Sequence, residues 1–229
     1  LTKTSFSMAS QDVRYYLNGL LLEFSGKALK AVATDGHRMA VASLDELEHM
    51  EHETKYILPR KAVIELSKIL SPEKEKIEIL LNDSHLTINS KDQVFSSKLI
   101  EGRFPDYQKV FPDGEENSLL VEKETLQSAL SRSSVLSSEK YRGVRFSLKK
   151  NLLTLTANNP EQELAEEEID VVFSGPDLEI GFNINYILDA LNVIESKKVE
   201  MLFYGEESSC LIREPENTHE VYVVMPMRL

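Results

Sequence analysis

The segment from Thr34 to Arg38 holds the side chains of this chain that are best suited to chemistry. Asp35 lies two residues before His37, and a carboxylate beside an imidazole could form the acid-base pair of a hydrolytic enzyme. Such a pair needs reacting partners, and the sequence has no Gly-x-Ser-x-Gly, no phosphate-binding glycine loop and no His-Glu-x-x-His. Asp35 and Gly36 are also turn formers, so the pattern favours a turn after a strand. Hydrolysis by Asp35 and His37 is the alternative.

Metal and cofactor chemistry have little support in the sequence. Cys210 is the only cysteine, which excludes an internal disulfide and a cysteine-cluster metal site. His49 and His52 are the only closely spaced histidines, and their acidic surroundings predict an exposed loop instead of a metal site. We therefore predict no catalytic residue, no metal and no cofactor.

Two short segments could form an apolar pocket. Residues 102–107 (Gly-Arg-Phe-Pro-Asp-Tyr) and 225–229 (Met-Pro-Met-Arg-Leu) each follow the last predicted strand of a repeat. Methionine and aromatic side chains just beyond a strand suit an adaptable binding pocket. They are equally compatible with the closure of an ordinary core, and the residues themselves leave both interpretations open.

The chain is a tandem repeat with a shift of 124 residues, which carries Ala33 onto Ala157. The shift is kept at both ends, because Gly19 aligns with Gly143 and Lys98 with Tyr222. A period this long indicates a duplicated domain, since solenoid repeats have periods of roughly 20 to 50 residues. We predict domains at 1–116 and 117–229, joined by a polar linker at 112–118.

Each repeat has the pattern of an α+β domain with two helices packed on antiparallel sheets. The helices are predicted near residue 1 and at 59–70, 121–136 and 183–194. Strands are predicted at 18–24, 28–33, 38–43, 77–81, 86–88, 95–100, 144–148, 152–157, 201–204, 210–213 and 221–225. The composition of 163–172 suits a helix or a strand, and its place in the repeat favours a strand. The first helix is shortened relative to its counterpart, which predicts that the chain is part of a longer protein.

Composition limits the class of protein. The chain is 41% hydrophobic and 28% charged, without an apolar run near the ~20 residues that a membrane span needs, so we expect a soluble protein. A single cysteine is typical of a reducing compartment, and we expect the cytoplasm. The net charge of −12 argues against a protein that reads DNA through a basic patch, although basic residues could still gather on one face.

Several segments together resemble one family. They are residues 11–19 (Gln-Asp-Val-Arg-Tyr-Tyr-Leu-Asn-Gly), 33–40 (Ala-Thr-Asp-Gly-His-Arg-Met-Ala), 102–107, 141–145 (Tyr-Arg-Gly-Val-Arg), 157–163 (Ala-Asn-Asn-Pro-Glu-Gln-Glu) and 223–229 (Val-Val-Met-Pro-Met-Arg-Leu). In this order they resemble the bacterial DNA polymerase III beta subunit family, the replicative sliding clamps. The resemblance covers essentially the whole chain and is specific.

The resemblance implies a function without catalysis. Clamps of this family have three similar domains and close as head-to-tail homodimers around duplex DNA, and this chain resembles the middle and C-terminal domains. The implied protein is a processivity factor that contacts DNA nonspecifically and has no membrane partner. Its implied protein partners are the polymerase III catalytic subunit, the clamp loader and other proteins with Gln-x-x-Leu-Phe-like motifs. Without the N-terminal domain the dimer interface is incomplete.

The resemblance also implies site residues. The expected peptide-binding pocket consists of Leu17, Thr34, Gly36, His37, Arg38, Met39, Pro105, Val110, Asn183, Tyr186, Val223, Val224, Met225, Pro226, Met227, Arg228 and Leu229. The positions expected near DNA are Gln11, Arg14, Tyr15, Arg60 and Lys61. Three residues depart from the family pattern: Lys109 stands where arginine is common, Tyr141 where phenylalanine is familiar, and Glu207 at a pocket edge that can be apolar. Since Glu207 would repel acidic motif residues, we expect a shifted motif preference.

Overall fold

The computed structural model describes residues 1–45, 47, 50–70, 77–91, 93–138 and 142–228. The chain divides into two compact units, Leu1–Asp106 and Tyr107–Leu229. The predicted domain bounds at 116 and 117 stay a prediction. Among the described residues, no helix combines the length and the apolar composition needed to cross a lipid bilayer.

The first unit combines short helices with antiparallel strands. Its helices are α1 (Thr2–Ser5) and α2 (Arg60–Ile69), and a 3₁₀ turn covers Tyr15–Leu17. Its strands are β1 (Gly19–Gly26), β2 (Ala28–Thr34), β3 (Arg38–Leu44), β4 (Met50–Pro59), β5 (Glu78–Leu81), β6 (His85–Asn89) and β7 (Val94–Lys98). Strands pair antiparallel in the order β4, β1, β2, β3, and β6 lies between β5 and β7.

The core of the first unit lies between α2 and the strands. Leu20 and Leu22 alternate along β1, so both side chains point to the same face of the sheet. They belong to one buried cluster with Val63 and Leu66 of α2, and β6 contributes Leu86. Burial of each such side chain stabilises the fold by about 1.5–3 kcal/mol. Helix α2 is therefore fixed to the sheet by its apolar face.

The second unit has the same kinds of element. A 3₁₀ turn covers Tyr107–Val110, and the helices are α3 (Lys123–Val135) and α4 (Ile184–Val193). The strands are β8 (Asn117–Glu122), β9 (Gly143–Lys149), β10 (Leu152–Asn158), β11 (Leu164–Asp170), β12 (Val172–Phe173), β13 (Leu178–Asn183), β14 (Lys198–Phe203), β15 (Cys210–Arg213) and β16 (Glu220–Val224). Strands pair in the orders β12, β8, β14, β15, β16 and β11, β10, β9, β13.

The core of the second unit is built on helical spacing and on aromatic contacts. Leu126 and Leu130 of α3 are fully buried, as their spacing of four residues on one helix face predicts. Phe146 and Phe182 pack edge to face with ring centroids 5.3 Å apart. Such edge-to-face pairs add stability beyond the burial of their area.

The duplication predicted from the sequence is present in the elements themselves. Helices α2 and α4 begin 124 residues apart and have equal length, and so do strands β2 and β10. The predicted strand bounds leave short turns at 25–27 and 149–151, and the structure has both turns, with Gly26 and Asn151 in left-handed backbone conformation at φ +59° and +60°. Strands β11 and β12 confirm the choice of strand for 163–172.

The sequence interpretation was wrong at three strands. His52 lies in β4 and not in a loop, because β4 is held by pairing with β1 although its first half is polar. Strand β8 occupies the end of the predicted linker at 112–118 and the first two residues of the helix predicted at 121–136. It pairs with β14, about 80 residues away in sequence. Strand β13 was also missed. These strands depend on distant partners that local composition does not reveal.

Candidate functional site

The loop between β2 and β3 is held by its own side chains. The Oγ1 atom of Thr34 donates to the Arg38 carbonyl oxygen at 2.6 Å and accepts from the Gly36 amide at 3.1 Å. The Oδ1 atom of Asp35 accepts from the amides of His37 and Arg38, at 2.9 and 3.1 Å. Gly36 has φ +91°, a backbone conformation that side chains disfavour. The loop therefore has one defined shape.

The guanidinium of Arg38 is fixed within the first unit. Its Nε donates to Asp35 Oδ2 at 3.1 Å and its Nη2 donates to the carbonyl oxygen of Phe6 at 2.9 Å. It also lies over the Phe6 ring, 5.5 Å from the centroid, where a cation is attracted to the ring face. Arg38 is thus a positioned cation, and both carboxylate oxygens of Asp35 are used to shape the loop.

A second segment, residues 10–16, is closed by Asp12 and is called here the 10–16 loop. Asp12 accepts from Arg14 Nε at 3.0 Å, from Arg14 Nη2 at 2.8 Å and from the Arg14 amide at 2.8 Å. The Asn18 side chain accepts from the Asp12 amide and donates to the Asp12 carbonyl oxygen. These bonds to Arg14 lower the pKa of Asp12 to about 2, so its carboxylate is ionised throughout the neutral range.

Arg14 connects the 10–16 loop to the β2–β3 loop. Its Nη2 atom donates to the Asp35 carbonyl oxygen at 3.2 Å. A methyl group at Gly36 would lie 3.1 Å from both terminal nitrogens of Arg14, so the guanidinium fits closely against the glycine backbone. The hydrogen bonds that the Arg14 guanidinium donates to Asp12 also raise the pKa of Arg14. The structure therefore brings two sequence motifs of the first unit together through one side chain.

The predicted pocket residues of the first unit differ in exposure. Leu17 and Met39 are almost fully buried. Thr34, Gly36 and Arg38 are half-buried, whereas His37 and Pro105 are exposed. The exposed part of the loop is thus polar, whereas the apolar side chains of Leu17 and Met39 are buried.

The residues expected near DNA are largely exposed. Gln11, Arg14, Tyr15 and Lys61 lie on the surface, and Gln11 has an uncommon φ of +59°. Arg60 is half-buried, and its Nη1 donates to the Met8 carbonyl oxygen at 3.1 Å. Both arginines of this set are therefore engaged by the protein itself.

In the second unit, the C-terminal segment lies beside β13 and the start of α4. The Met227 amide donates to the Gly181 carbonyl oxygen at 2.8 Å. Asn183 follows on β13 and caps α4 by accepting from the Asn185 amide at 2.9 Å. One turn further, Tyr186 is half-buried. Met227 and Asn183, two predicted pocket residues that are distant in sequence, are thus close together.

The remaining predicted residues of the second unit include buried and exposed positions. Val223 and Val224 are buried in β16, whereas Met225 is exposed and Val110, Pro226 and Met227 are half-buried. Arg228 is almost fully exposed, and its Nη2 lies 3.6 Å from Glu207 Oε1. Leu229, Tyr141 and His49 lie outside the described residues. Within the described part of the chain, no group of three or more His, Cys, Asp or Glu residues could hold a metal ion.

Phe6 and Asp12 were not predicted as site residues, yet they position Arg38 and Arg14. An aspartate two residues before its partner amide is typical of a local Asx turn, so Asp12 could have been found from the sequence. No local signal could have revealed Phe6, because it is 32 residues from Arg38.

Comparison with known proteins decides the family. Residues 1–106 match the family model "DNA polymerase III beta subunit, central domain", and residues 108–228 match the model of the C-terminal domain. The chain belongs to the DNA polymerase III beta subunit family. The hydrolase alternative is not supported by this family, nor by the use of Asp35 as a loop acceptor.

Members of the beta subunit family from several bacteria are similar to this chain. The beta sliding clamp of Pseudomonas aeruginosa is 46% identical over 229 residues, which is 100% of this chain and 62% of that relative. The beta sliding clamp of Escherichia coli K12 is 45% identical over 226 residues, with 99% and 62% covered. The chain thus spans less than two thirds of the length of these relatives.

Solved clamps also share the fold. A crystal structure of the DNA polymerase sliding clamp from Pseudomonas aeruginosa has a TM-score of 0.97 at 46% identity, covering 100% of this chain and 63% of that one. Another structure of the clamp from this organism, bound to griselimycin, has a TM-score of 0.96 at 47% identity and covers 99% and 62%.

Proposed function

We propose that this chain is part of a DNA sliding clamp, a processivity factor without catalytic activity. The observation that carries the proposal is the match of both units, in order, to the central and C-terminal domains of the beta subunit family. A clamp retains a polymerase by keeping it at high effective concentration on the template. We place this activity in the cytoplasm, where bacterial DNA is copied.

In the longer protein, we propose that three similar domains per subunit close as a homodimer around duplex DNA. A ring holds DNA by topology, so weak and nonspecific phosphate contacts suffice. This is compatible with a net charge of −12. The full-length protein loaded onto circular DNA should remain bound and should be lost when the circle is cut. Equal retention on circular and linear DNA would contradict encirclement.

We further propose that the β2–β3 loop and the C-terminal segment bind Gln-x-x-Leu-Phe-like motifs of the polymerase catalytic subunit, the clamp loader and other DNA-processing proteins. In the first unit, the Arg38 guanidinium, which is held in place by Asp35 and Phe6, and the exposed polar groups of the β2–β3 loop can bind the polar groups of such a motif. In the second unit, the exposed Met225 and the half-buried Met227, whose amide bonds to Gly181, offer adaptable apolar contacts. A single short peptide should bind in the roughly micromolar range, which lets partners exchange.

The test is binding of a fluorescent Gln-x-x-Leu-Phe peptide to the chain and to a variant that ends at Pro226. The truncation removes the Met227 amide that holds the C-terminal segment to Gly181, so affinity should fall by up to about tenfold, the effect of one hydrogen bond worth ~1.4 kcal/mol. A peptide of scrambled sequence serves as the control for nonspecific binding. Equal affinity for both chains would reject the site in the second unit.

Motif preference should depend on Glu207. Its carboxylate lies at the C-terminal segment, near Arg228, and would oppose an acidic residue of the motif. Glu207→Gln should therefore favour acidic peptides and leave neutral ones nearly unchanged. The ratio of the two affinities is the measurement, and an unchanged ratio would remove Glu207 from the site.

A further inference from the structure

The side chain of Arg14 is half-exposed, yet its guanidinium is already bound inside the first unit. Two parallel hydrogen bonds, of 3.0 and 2.8 Å, join it to the two oxygens of Asp12. Its Nη2 atom also donates to the Asp35 carbonyl oxygen. Two-point pairs between arginine and a carboxylate are among the strongest hydrogen bonds in proteins. The cation at a position expected near DNA is therefore neutralised by its neighbour.

Asp12 is itself held in place. The Asn18 side chain bonds to both the amide and the carbonyl oxygen of Asp12, at 2.9 and 2.8 Å. The carboxylate accepts a third hydrogen bond from the Arg14 amide. A DNA phosphate would have to displace this preformed carboxylate to bind Arg14 in the same two-point geometry.

The direction of Arg14 follows from this arrangement. Asp12 turns the guanidinium toward the β2–β3 loop, where it bonds to Asp35 and lies against the backbone of Gly36. The same loop carries Thr34, His37 and Arg38, which belong to the proposed peptide site. Arg14 thus supports the loop from one side, while Phe6 holds Arg38 from another.

We infer that Asp12 is a positioning residue that withholds Arg14 from DNA and fixes it as a support for the peptide-binding loop. The inference rests on the proposed clamp function for the identity of the peptide and of the DNA. It assigns opposite effects to one carboxylate: peptide binding needs Asp12, and nonspecific DNA binding is weakened by it.

The test uses Asp12→Asn, Arg14→Gln, the double variant and Glu161→Gln. Asp12→Asn keeps the size of the side chain and removes its charge, and Glu161→Gln removes one negative charge at an exposed position in the second unit. Peptide affinity is measured by fluorescence anisotropy. Affinity for a short linear duplex is measured by NMR titration over a series of low salt concentrations, because this method detects weak binding. Thermal unfolding confirms that each variant is folded.

We expect Asp12→Asn to weaken peptide binding roughly two- to fivefold, the upper part of the range expected for an exposed charge pair. Arg14→Gln should weaken it by a similar factor, and the double variant should be no worse than either, since both changes break the same support. Asp12→Asn should also steepen the dependence of log Kd on log salt by about 0.9, the slope of one new phosphate contact. The double variant should not show this steeper slope, because it has no Arg14 to contact the phosphate.

Three results would overturn the inference. One is a salt slope for Asp12→Asn equal to that of Glu161→Gln, which would show a general effect of net charge. Another is additive loss of peptide affinity in the double variant. The third is unchanged peptide affinity in Asp12→Asn. Failure of the unaltered chain to bind the peptide would reject the proposed peptide site instead, and the salt slopes would still test whether Asp12 withholds Arg14.

Discussion

The carboxylate of Asp35 and the guanidinium of Arg38 form a largely buried ion pair, with Oδ2 and Nε 3.1 Å apart. The two residues belong to one loop, so the pair fixes both the backbone of the loop and the direction of its cation. Because Asp35 also accepts from two backbone amides, its removal affects more than one contact. The properties of this loop can therefore be tested through a single side chain.

Asp35→Ala should lower the free energy of unfolding by about 1–3 kcal/mol, since it removes the side-chain acceptor of the His37 and Arg38 amides and of Arg38 Nε. Peptide affinity should fall as well, because the Arg38 side chain loses its hydrogen bond to Asp35 Oδ2. Urea unfolding and peptide anisotropy are the measurements. Asp35→Asn is the matched control, because its amide oxygen can still accept from His37 and Arg38, and it should have the smaller effect. Equal stability of Asp35→Ala and the unaltered chain would show that the loop does not depend on this carboxylate.

Gly36→Ala should impair peptide binding through Arg14. The added methyl group would lie 3.1 Å from the terminal nitrogens of Arg14, and the φ of +91° disfavours any side chain by about 1–2 kcal/mol. Gly114→Ala is the control, since Gly114 also has positive φ but nothing lies within 4 Å of its added methyl group. Both variants should be less stable, and only Gly36→Ala should bind the peptide more weakly. Parallel loss of affinity in both would point to backbone strain alone.

Much of the fold could be predicted because the hydrophobic pattern and the repeat agree. In α2 and α4 the apolar spacing marks the buried face, and the shift of 124 residues assigns each helix its counterpart. Strand β4 was not predicted because its first half is rich in charged residues and lacks the apolar alternation of a half-buried strand. Its charged side chains form ion pairs across the sheet. For example, the Nζ atom of Lys55 in β4 lies 3.1 Å from the Oε2 atom of Glu23 in β1.

The residues that orient the side chains of the candidate site were harder to predict than the site residues themselves. A resemblance to known clamps identifies Arg38 and Arg14 by position, but it does not give the direction of either guanidinium. Besides the local pairs with Asp35 and Asp12, that direction depends on Phe6 for Arg38 and on Asp35 for Arg14, which lie 32 and 21 residues away in sequence. Contacts at such separations arise only when the chain has folded, so their pattern is absent from any local segment.

Stability should fall at alkaline pH partly through Tyr204. Burial, aided by the hydrogen bond to Glu116, raises the pKa of Tyr204 from 10.0 to about 12. A raised folded pKa means that the folded state favours the protonated phenol. This contribution to stability is complete below the unfolded value near 10 and is lost as pH rises from 10 to about 12. Urea unfolding across this range should show a shallower decline for Tyr204→Phe. An identical decline in both chains would exclude Tyr204 as a contributor.

The N-cap of α4 connects stability with the proposed peptide site in the second unit. The Asn183 side chain accepts from the Asn185 amide at 2.9 Å, which satisfies one of the amides that a helix start leaves without a partner. Asn183→Ala should cost about 1 kcal/mol of unfolding free energy, the usual loss for such a cap. Asn183→Asp keeps an acceptor at the same position and places a negative charge at the helix start, so its stability should be equal or higher.

The two variants of Asn183 separate capping from recognition. If Asn183 serves only the helix, peptide affinity should follow stability and be retained in Asn183→Asp. If its amide group also contacts the motif, Asn183→Asp should stay stable and still bind the peptide more weakly, because a carboxylate cannot donate a hydrogen bond. We expect the second outcome, since Asn183 lies two residues after Gly181, whose carbonyl oxygen holds the C-terminal segment. Full affinity in Asn183→Asp would restrict this residue to the cap.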